Sequence, residues 1–276
     1  MRSVNQRSWV HAGLIAIAIA YLSLILLIPA ANVIFQAFRR GVMPFLQNLL
    51  EPDFLHALWV TFALALVVVP LNTVFGLCAA WAIARHRFRG RTLLLSIIDL
   101  PFSISPVVAG LMLVLVYGRN GWLGGWLQAL DIQVIFAFPG MVLATAFVSL
   151  PFVAREVIPV LEEIGTDQDE AAKTLGANDW QTFWRVTLPN IRWGLLYGVL
   201  LTNARAMGEF GAVAVVSGNV AGLTQNLPLF IEDAYKNYKT ESAYAAAIIL
   251  GLLALVTLIV KELLERKTGI KPVGDR

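Results

Sequence analysis

Arg205 and Glu209 stand four residues apart in Thr202-Asn-Ala-Arg-Ala-Met-Gly-Glu-Phe-Gly-Ala212, within a run dominated by Leu, Val, Gly and Ala. On a helix they are i, i+4 neighbours, so each neutralises the other and lowers the cost of a charge in an apolar surrounding. Two chemistries follow: a structural ion pair that fixes helix packing, or a positive potential that Arg205 offers to an anion. Gly194, Gly198, Gly208 and Gly211 surround the pair and permit close helix contact or local unwinding. A second polar interruption is Asp99-Leu-Pro-Phe-Ser-Ile-Ser-Pro106. Pro101 and Pro106 disturb the helical ladder, and backbone groups freed at membrane depth are tolerated only against protein or a water-filled cavity. Ser103 and Ser105 there either donate hydroxyls to an oxyanion or are satisfied within a kinked structural helix. Ser103, Ser105, Arg205, Gly208, Glu209 and Gly211 are thus the candidate lining of a translocation path.

Catalysis by the chain itself finds little support. His11, His56 and His86 are scattered without a His-Glu-x-x-His or other metal-binding spacing. No Gly-x4-Gly-Lys-Ser/Thr phosphate loop is present, so no nucleotide is held by that route. Cys78 is the single cysteine, which rules out an internal disulfide; inside an apolar run it reads as a small core residue.

These residues must be positioned by an apolar scaffold. The chain has 276 residues, 58% hydrophobic and 14% charged, against about 45–50% and about 25% in soluble domains. Mean hydropathy is +0.71. Six apolar blocks reach the roughly 20 residues a bilayer-crossing helix needs: residues 14–35, 55–84, 93–117, 134–161, 191–217 and 243–260. Period-two alternation is absent, which argues against a membrane β-barrel. The expectation is an all-α, polytopic membrane protein of six transmembrane helices, forming one domain over residues 1–276. The first block follows arginines as a signal peptide's apolar region would. Its length of about 20 residues, beyond the usual 7–15, reads as a retained anchor.

Charge sets the orientation. Arg2, Arg7, Arg85, Arg87, Arg89, Arg91, Arg155, Lys173, Arg185, Arg192, Lys261, Arg266, Lys267, Lys271 and Arg276 assort to one side. Arg39, Arg40, Arg119, Lys236 and Lys239 assort to the other. The richer side is cytoplasmic, which places both termini there and explains the Arg85–Arg91 cluster without nucleic acid. Outside, residues 36–54 suggest a short interfacial helix, and residues 119–132 and 218–242 form loops.

The longest polar stretch on the inner side is residues 162–190. Thr166 with Asp169 fits a capping-box helix start, and acidic residues favour the positive end of the helix dipole. Gln168, Ala171, Ala172 and Leu175 then share one face, on which two alanines allow close approach of another surface. Gly176 supplies a stop. A second helix, capped by Asn178 or Asp179, carries a stripe of Trp180, Phe183, Trp184 and Thr187 and is expected to end at Pro189. The result is a helix–Gly–helix elbow between two spans.

Glu170-Ala171-Ala172, three residues, Gly176, nine residues, then Val186-Thr187-Leu188-Pro189 resembles the EAA loop of ABC importer permeases. Val186 stands where that pattern usually has Ile. In that family the loop is a coupling helix that docks in a groove of a separate ATPase. The resemblance implies that Ala171, Ala172 and Gly176 form the close-packing surface and that Glu170 makes a polar contact. It implies that Leu188 and Pro189 close the elbow.

Residues 150–156, 174–189 and 204–212 are similar to the sulfate/thiosulfate permeases. Pro101-Phe-Ser-Ile-Ser-Pro-Val-Val-Ala-Gly110 and Trp193-Gly-Leu-Leu-Tyr-Gly198 resemble their CysW branch. The likeness extends from about residue 55 onward. It implies a type I, molybdate/sulfate-like ABC importer fold in the bacterial inner membrane. It implies a heterodimer with a CysT-type permease, two copies of a CysA-type ATPase that hold ATP and Mg, and a periplasmic sulfate-binding protein. No cofactor is expected in this chain. Molybdate permeases share the Arg-x-x-Gly-Glu-Phe-Gly feature and remain the same-class alternative, for molybdate or tungstate. An ion-coupled secondary transporter is the different-class alternative; no internal repeat supports it.

Overall fold

The computed structural model describes residues 3–268. Arg2, Lys271 and Arg276 of the charge count, and both termini, lie outside the described residues. The described chain is helical throughout: α1 (Ser3–Leu22), a π-turn (Ser23–Leu27), α2 (Ile28–Phe38), α3 (Val42–Leu49), α4 (Pro52–Arg85), α5 (Arg91–Ser103), α6 (Pro106–Tyr117), α7 (Gly124–Ala129), α8 (Phe138–Ser149), α9 (Pro151–Ile164), α10 (Asp167–Thr174), α11 (Asp179–Thr182), a second π-turn (Phe183–Thr187), α12 (Leu188–Met207), α13 (Gly211–Val216), α14 (Leu227–Lys236) and α15 (Thr240–Thr268).

Four described helices are long and apolar enough to cross a membrane: Gly13–Phe38, Pro52–Arg85, Phe138–Ile164 and Thr240–Leu263. The pair Arg91–Ser103 and Pro106–Tyr117, bent by 112°, makes a fifth if counted as one span. The remaining expected block, residues 191–217, is divided into the 20-residue α12 and the six-residue α13. The expected outer interfacial helix corresponds to α3. Residues 119–132 and 218–242, expected as loops, hold α7 and α14.

Proline explains several of these boundaries, although Pro101, expected to disturb the ladder, lies inside α5 and the break comes after it at Ser103. Pro106 begins α6, where its missing N–H costs nothing, whereas Ser103 closes α5 just before it. Both π-turns directly precede an X-Pro step, Ile28-Pro29 and Leu188-Pro189. In each, the residue before proline donates its N–H five residues back, Ile28 to the Ser23 carbonyl and Leu188 to the Phe183 carbonyl. The ladder widens where proline would otherwise break it. Pro189 therefore starts α12 instead of ending the second elbow helix, contrary to the sequence expectation.

The described chain divides into two compact units, Met1–Glu51 with Ile231–Ile249, and Pro52–Phe230 with Leu250–Arg276. In the first, Ala37, Phe45 and Ala245 form a small apolar cluster. Arg40 pairs with Glu241 at 2.7 Å, and the Ser242 hydroxyl donates to Asn48 Oδ1 at 3.1 Å.

In the second unit α9 is clasped between α4 and α12. Glycines make the approach possible. A Cβ on Gly76 of α4 would stand 2.7 Å from Val153 Cβ, and one on Gly198 of α12 would stand 2.9 Å from Val153 Cα. Ala79, Ala80, Ile83, Val153, Val157, Leu161 and Ile191 fill this seam. Asn72, fully buried on α4, donates to the Ala146 carbonyl at 3.0 Å and to Ser149 Oγ at 2.9 Å on α8. Cys78 turns away from the seam and is exposed on the described chain, which corrects its reading as a core residue. In a lipid-facing protein apolarity does not encode burial, because lipid accepts the outward face as well as a core does.

Candidate functional site

The two polar interruptions meet. A Cβ on Gly211 would touch Pro106 Cβ at 3.0 Å, and one on Gly110 of α6 would lie 2.7 Å from the Ala212 carbonyl oxygen. The break between α12 and α13 thus packs against the start of α6. Gly208 closes α12 in more open space, with only its own helix's Ala204 carbonyl near.

Glu209 sits in the break with its side chain 1% exposed, and Arg205 reaches it at 2.6 Å while remaining 31% exposed. Glu209 Oε1 accepts from the Ala212 N–H at 2.8 Å, in the first turn of α13. Its carbonyl accepts from Asn226 Nδ2, also at 2.8 Å. The carboxylate therefore satisfies an otherwise orphaned helix-start donor and is neutralised by Arg205. This geometry gives the pair a packing role. Ser103 and Ser105 lie at the α5–α6 break and are exposed on the described chain.

In residues 162–190 the elbow forms with a changed set of contacts. α10 ends in a full Schellman motif: the Gly176 N–H donates to the Lys173 carbonyl and the Ala177 N–H to the Ala172 carbonyl, both at 3.0 Å. Gly176 has φ +89°, a conformation that favours glycine. The expected capping box at Thr166 is absent. Asp169 is drawn away from Thr166 because Arg85 Nη2 pairs with its Oδ2 at 3.0 Å and the Thr187 hydroxyl donates to its Oδ1 at 2.8 Å. Thr166 instead donates to Glu170 Oε1 at 3.0 Å. The capping box lies at α11, where Asn178 accepts from the Gln181 N–H at 2.8 Å and Gln181 Oε1 accepts from the Asn178 N–H at 3.1 Å.

Arg85, at the end of α4, also donates to the Gly165 and Leu161 carbonyls and lies over Trp81. Asn190 donates to Gln168 at 2.6 Å, so Gln168 is tied to the start of α12. The aromatic stripe divides: Phe183 packs edge-on against Trp81 at 5.5 Å, while Trp180 and Trp184 are exposed. Glu170, Ala171, Leu175 and Gly176 are exposed too, with Ala172 partly so. Lys173 and Asp179 close the elbow at 2.8 Å, their mutual hydrogen bond holding Lys173 above its ordinary pKa and Asp179 below.

Two of the cations counted for orientation are built into the helical framework. Arg91 donates to the Ile83 carbonyl at 3.0 Å and pairs with Glu162 at 2.6 Å. Arg155 lies on α9, within the apolar helix Phe138–Ile164. It forks onto Asp99 of α5, Nε to Oδ1 at 2.7 Å and Nη2 to Oδ2 at 2.6 Å. The apolar block 134–161 already contained Arg155; its partner Asp99, 56 positions earlier, carried no sequence signal.

A family model, binding-protein-dependent transport system inner membrane component, matches residues 72–270. The chain belongs to this family. A "Sulfate transport system permease protein CysW" from Synechocystis sp. is 67% identical over 93% of both chains, which makes this a CysW-type ABC permease. A "Sulfate transport system permease protein CysT" from Escherichia coli is 39% identical over 93% of both chains. Among solved structures, a bacterial ABC transporter "involved in the import of the acidic polysaccharide alginate" aligns with TM-score 0.80 at 18% identity, covering 95% of this permease and 97% of that chain. That likeness carries the ABC importer permease fold.

Proposed function

We propose that this permease carries sulfate, and thiosulfate with it, across the bacterial inner membrane in an ATP-driven importer. The observation that carries the reading is the 67% identity to a CysW sulfate permease along nearly the whole length of both chains. The exposed elbow supports the mechanical half, since a formed coupling helix with outward Ala171, Leu175 and Trp180 asks for a docking partner.

The complex contains a CysT-type second permease, two CysA-type ATPases that hold ATP and Mg, and a periplasmic sulfate-binding protein. Six spans place both termini in the cytoplasm, with α12 and α13 together as the fifth. ATP binding draws the two ATPases together. Glu170, Ala171, Ala172 and Gly176 follow that motion, Leu188 and Pro189 pass it into α12, and the path opens outward to receive the anion. Hydrolysis resets it. Ser103, Ser105 and the α12–α13 break line the path, and Arg205 contributes positive potential beside Glu209. Selectivity resides in the binding protein, so the path itself holds the anion weakly.

Reconstitution of the complete complex in proteoliposomes tests this. ATP-dependent uptake of radiolabelled sulfate, reduced by excess thiosulfate, is expected. Uptake of molybdate but not sulfate would overturn the substrate, and a sulfate-transporting chain that purifies without an ATPase would overturn the importer.

A further inference from the structure

We propose that Arg155 contacts the tetrahedral oxyanion directly and that Asp99 positions it for this. The first observation is depth. Arg155 is nine residues from the inner end of α9, and Asp99 is eight residues from the start of α5. At 1.5 Å per residue each has about 12–14 Å of helix between it and that end, Arg155 within a helix apolar enough to cross a membrane and Asp99 in one arm of the bent apolar pair.

The second observation is exposure. Despite that depth, the side chains of Arg155 and Asp99 are 55% and 32% exposed on the described chain. Lipid is an unfavourable neighbour for them. Charges are also depleted from the cores of protein–protein contacts. A water-filled path is the environment that suits an exposed ion pair at this level.

The third observation is the geometry of the fork. Asp99 takes the Nε and Nη2 side of the guanidinium. The terminal edge, with Nη1 and the second proton of Nη2, makes no hydrogen bond within the described chain. Guanidinium recognises two oxygens of one acceptor along such an edge. A sulfate-like dianion therefore adds to the free edge without displacing Asp99. The carboxylate holds the fork in one orientation and offsets its charge, so the anion is held weakly enough to leave.

Neighbouring residues point to the same face. Ser103 is i+4 from Asp99 on α5, and Phe102 packs edge-on against Phe152 of α9 at 5.5 Å. The Ser103 hydroxyl stands one helical turn beyond the pair, at the start of the bend between α5 and α6.

This rests on the sulfate-import reading, and the experiment separates the two. The complete complex is reconstituted with Cys78→Ser and Ser103→Cys, and the new thiol is treated with a membrane-impermeant anionic thiosulfonate. A thiol in water ionises and reacts, whereas one against lipid or packed protein does not. Reaction is expected, slowed about tenfold by saturating sulfate relative to chloride of equal ionic strength, as for a site occupied some ten to one. Adding Arg155→Gln should remove the sulfate protection. Arg155→Lys, which keeps the charge but loses the fork, should leave it partial and serves if the Gln variant assembles poorly. An unreactive Ser103→Cys, or protection unchanged by either Arg155 substitution, overturns the proposal. ATP-driven sulfate uptake by the unsubstituted complex is the parallel measurement, and its absence would sink the parent reading instead.

Discussion

Arg85 and Asp169 join the end of α4 to the first turn of α10 through a 3.0 Å ion pair, with side chains only 7% and 14% exposed. The Thr187 hydroxyl shares the same carboxylate, which brings in the π-turn before α12. α10 is therefore tied, through one carboxylate, both to α4 and to the turn that leads into α12.

Asp169→Asn should uncouple the importer. It leaves Arg85 largely buried without its counter-charge, a loss of about 3–5 kcal/mol when a buried pair is broken from one side. ATP hydrolysis by the solubilised complex should continue while sulfate uptake per ATP falls several-fold. Equal uptake per ATP in wild type and variant would show that the pair carries no coupling.

Gly176→Arg should abolish transport while the permease still inserts. The position has φ +89°, which strains any residue with a Cβ, and its surroundings are empty in this chain. The added bulk and charge therefore meet the ATPase and not the permease. The assay is co-purification of the ATPase alongside binding-protein-stimulated ATP hydrolysis, and normal stimulation would refute the docking role.

Arg205→Ala should lower membrane insertion and stability, because Glu209 is left buried and charged against the start of α13. Arg205→Ala/Glu209→Ala together should recover insertion, though the Ala212 N–H loses its acceptor. Thermal unfolding in detergent reads the first effect. Sulfate uptake reads whether Arg205 also serves the anion: restored insertion without transport assigns it to the path, and restored transport assigns it to packing alone.

The pH dependence of the elbow follows from the Lys173–Asp179 pair. Lys173 lies above its ordinary pKa of 10.5, so its contribution is full below that value and is lost as pH rises through the raised one. Asp179 lies below its ordinary 3.8, so its contribution is present above 3.8 and is lost as pH falls through the lowered one. The closure is thus constant between about pH 5 and 9. Lys173→Gln should leave the pH profile of uptake in that interval unchanged; a new inflection there would contradict the assignment.

The sequence by itself determined the solvent of this protein, the break ahead of Pro106 and the helix–Gly–helix elbow. The length of apolar runs decides whether a helix suits a bilayer, Pro106 marks where α6 begins, and Gly176 decides where α10 stops. These are local effects, legible within one turn of chain. Tertiary structure alone decided who pairs with whom. Asp169 abandoned a local capping box for Arg85, 84 positions away in sequence, because a charge at the end of α4 outweighs one backbone donor. Arg155 gains its counter-charge only because α5 brings Asp99 to it across 56 positions. Hydrophobic pattern could not tell which face of α4 meets α9 or that Cys78 faces outward, since in lipid every face of a span is apolar and only glycine-sized gaps such as those at Gly76 and Gly198 select the partner.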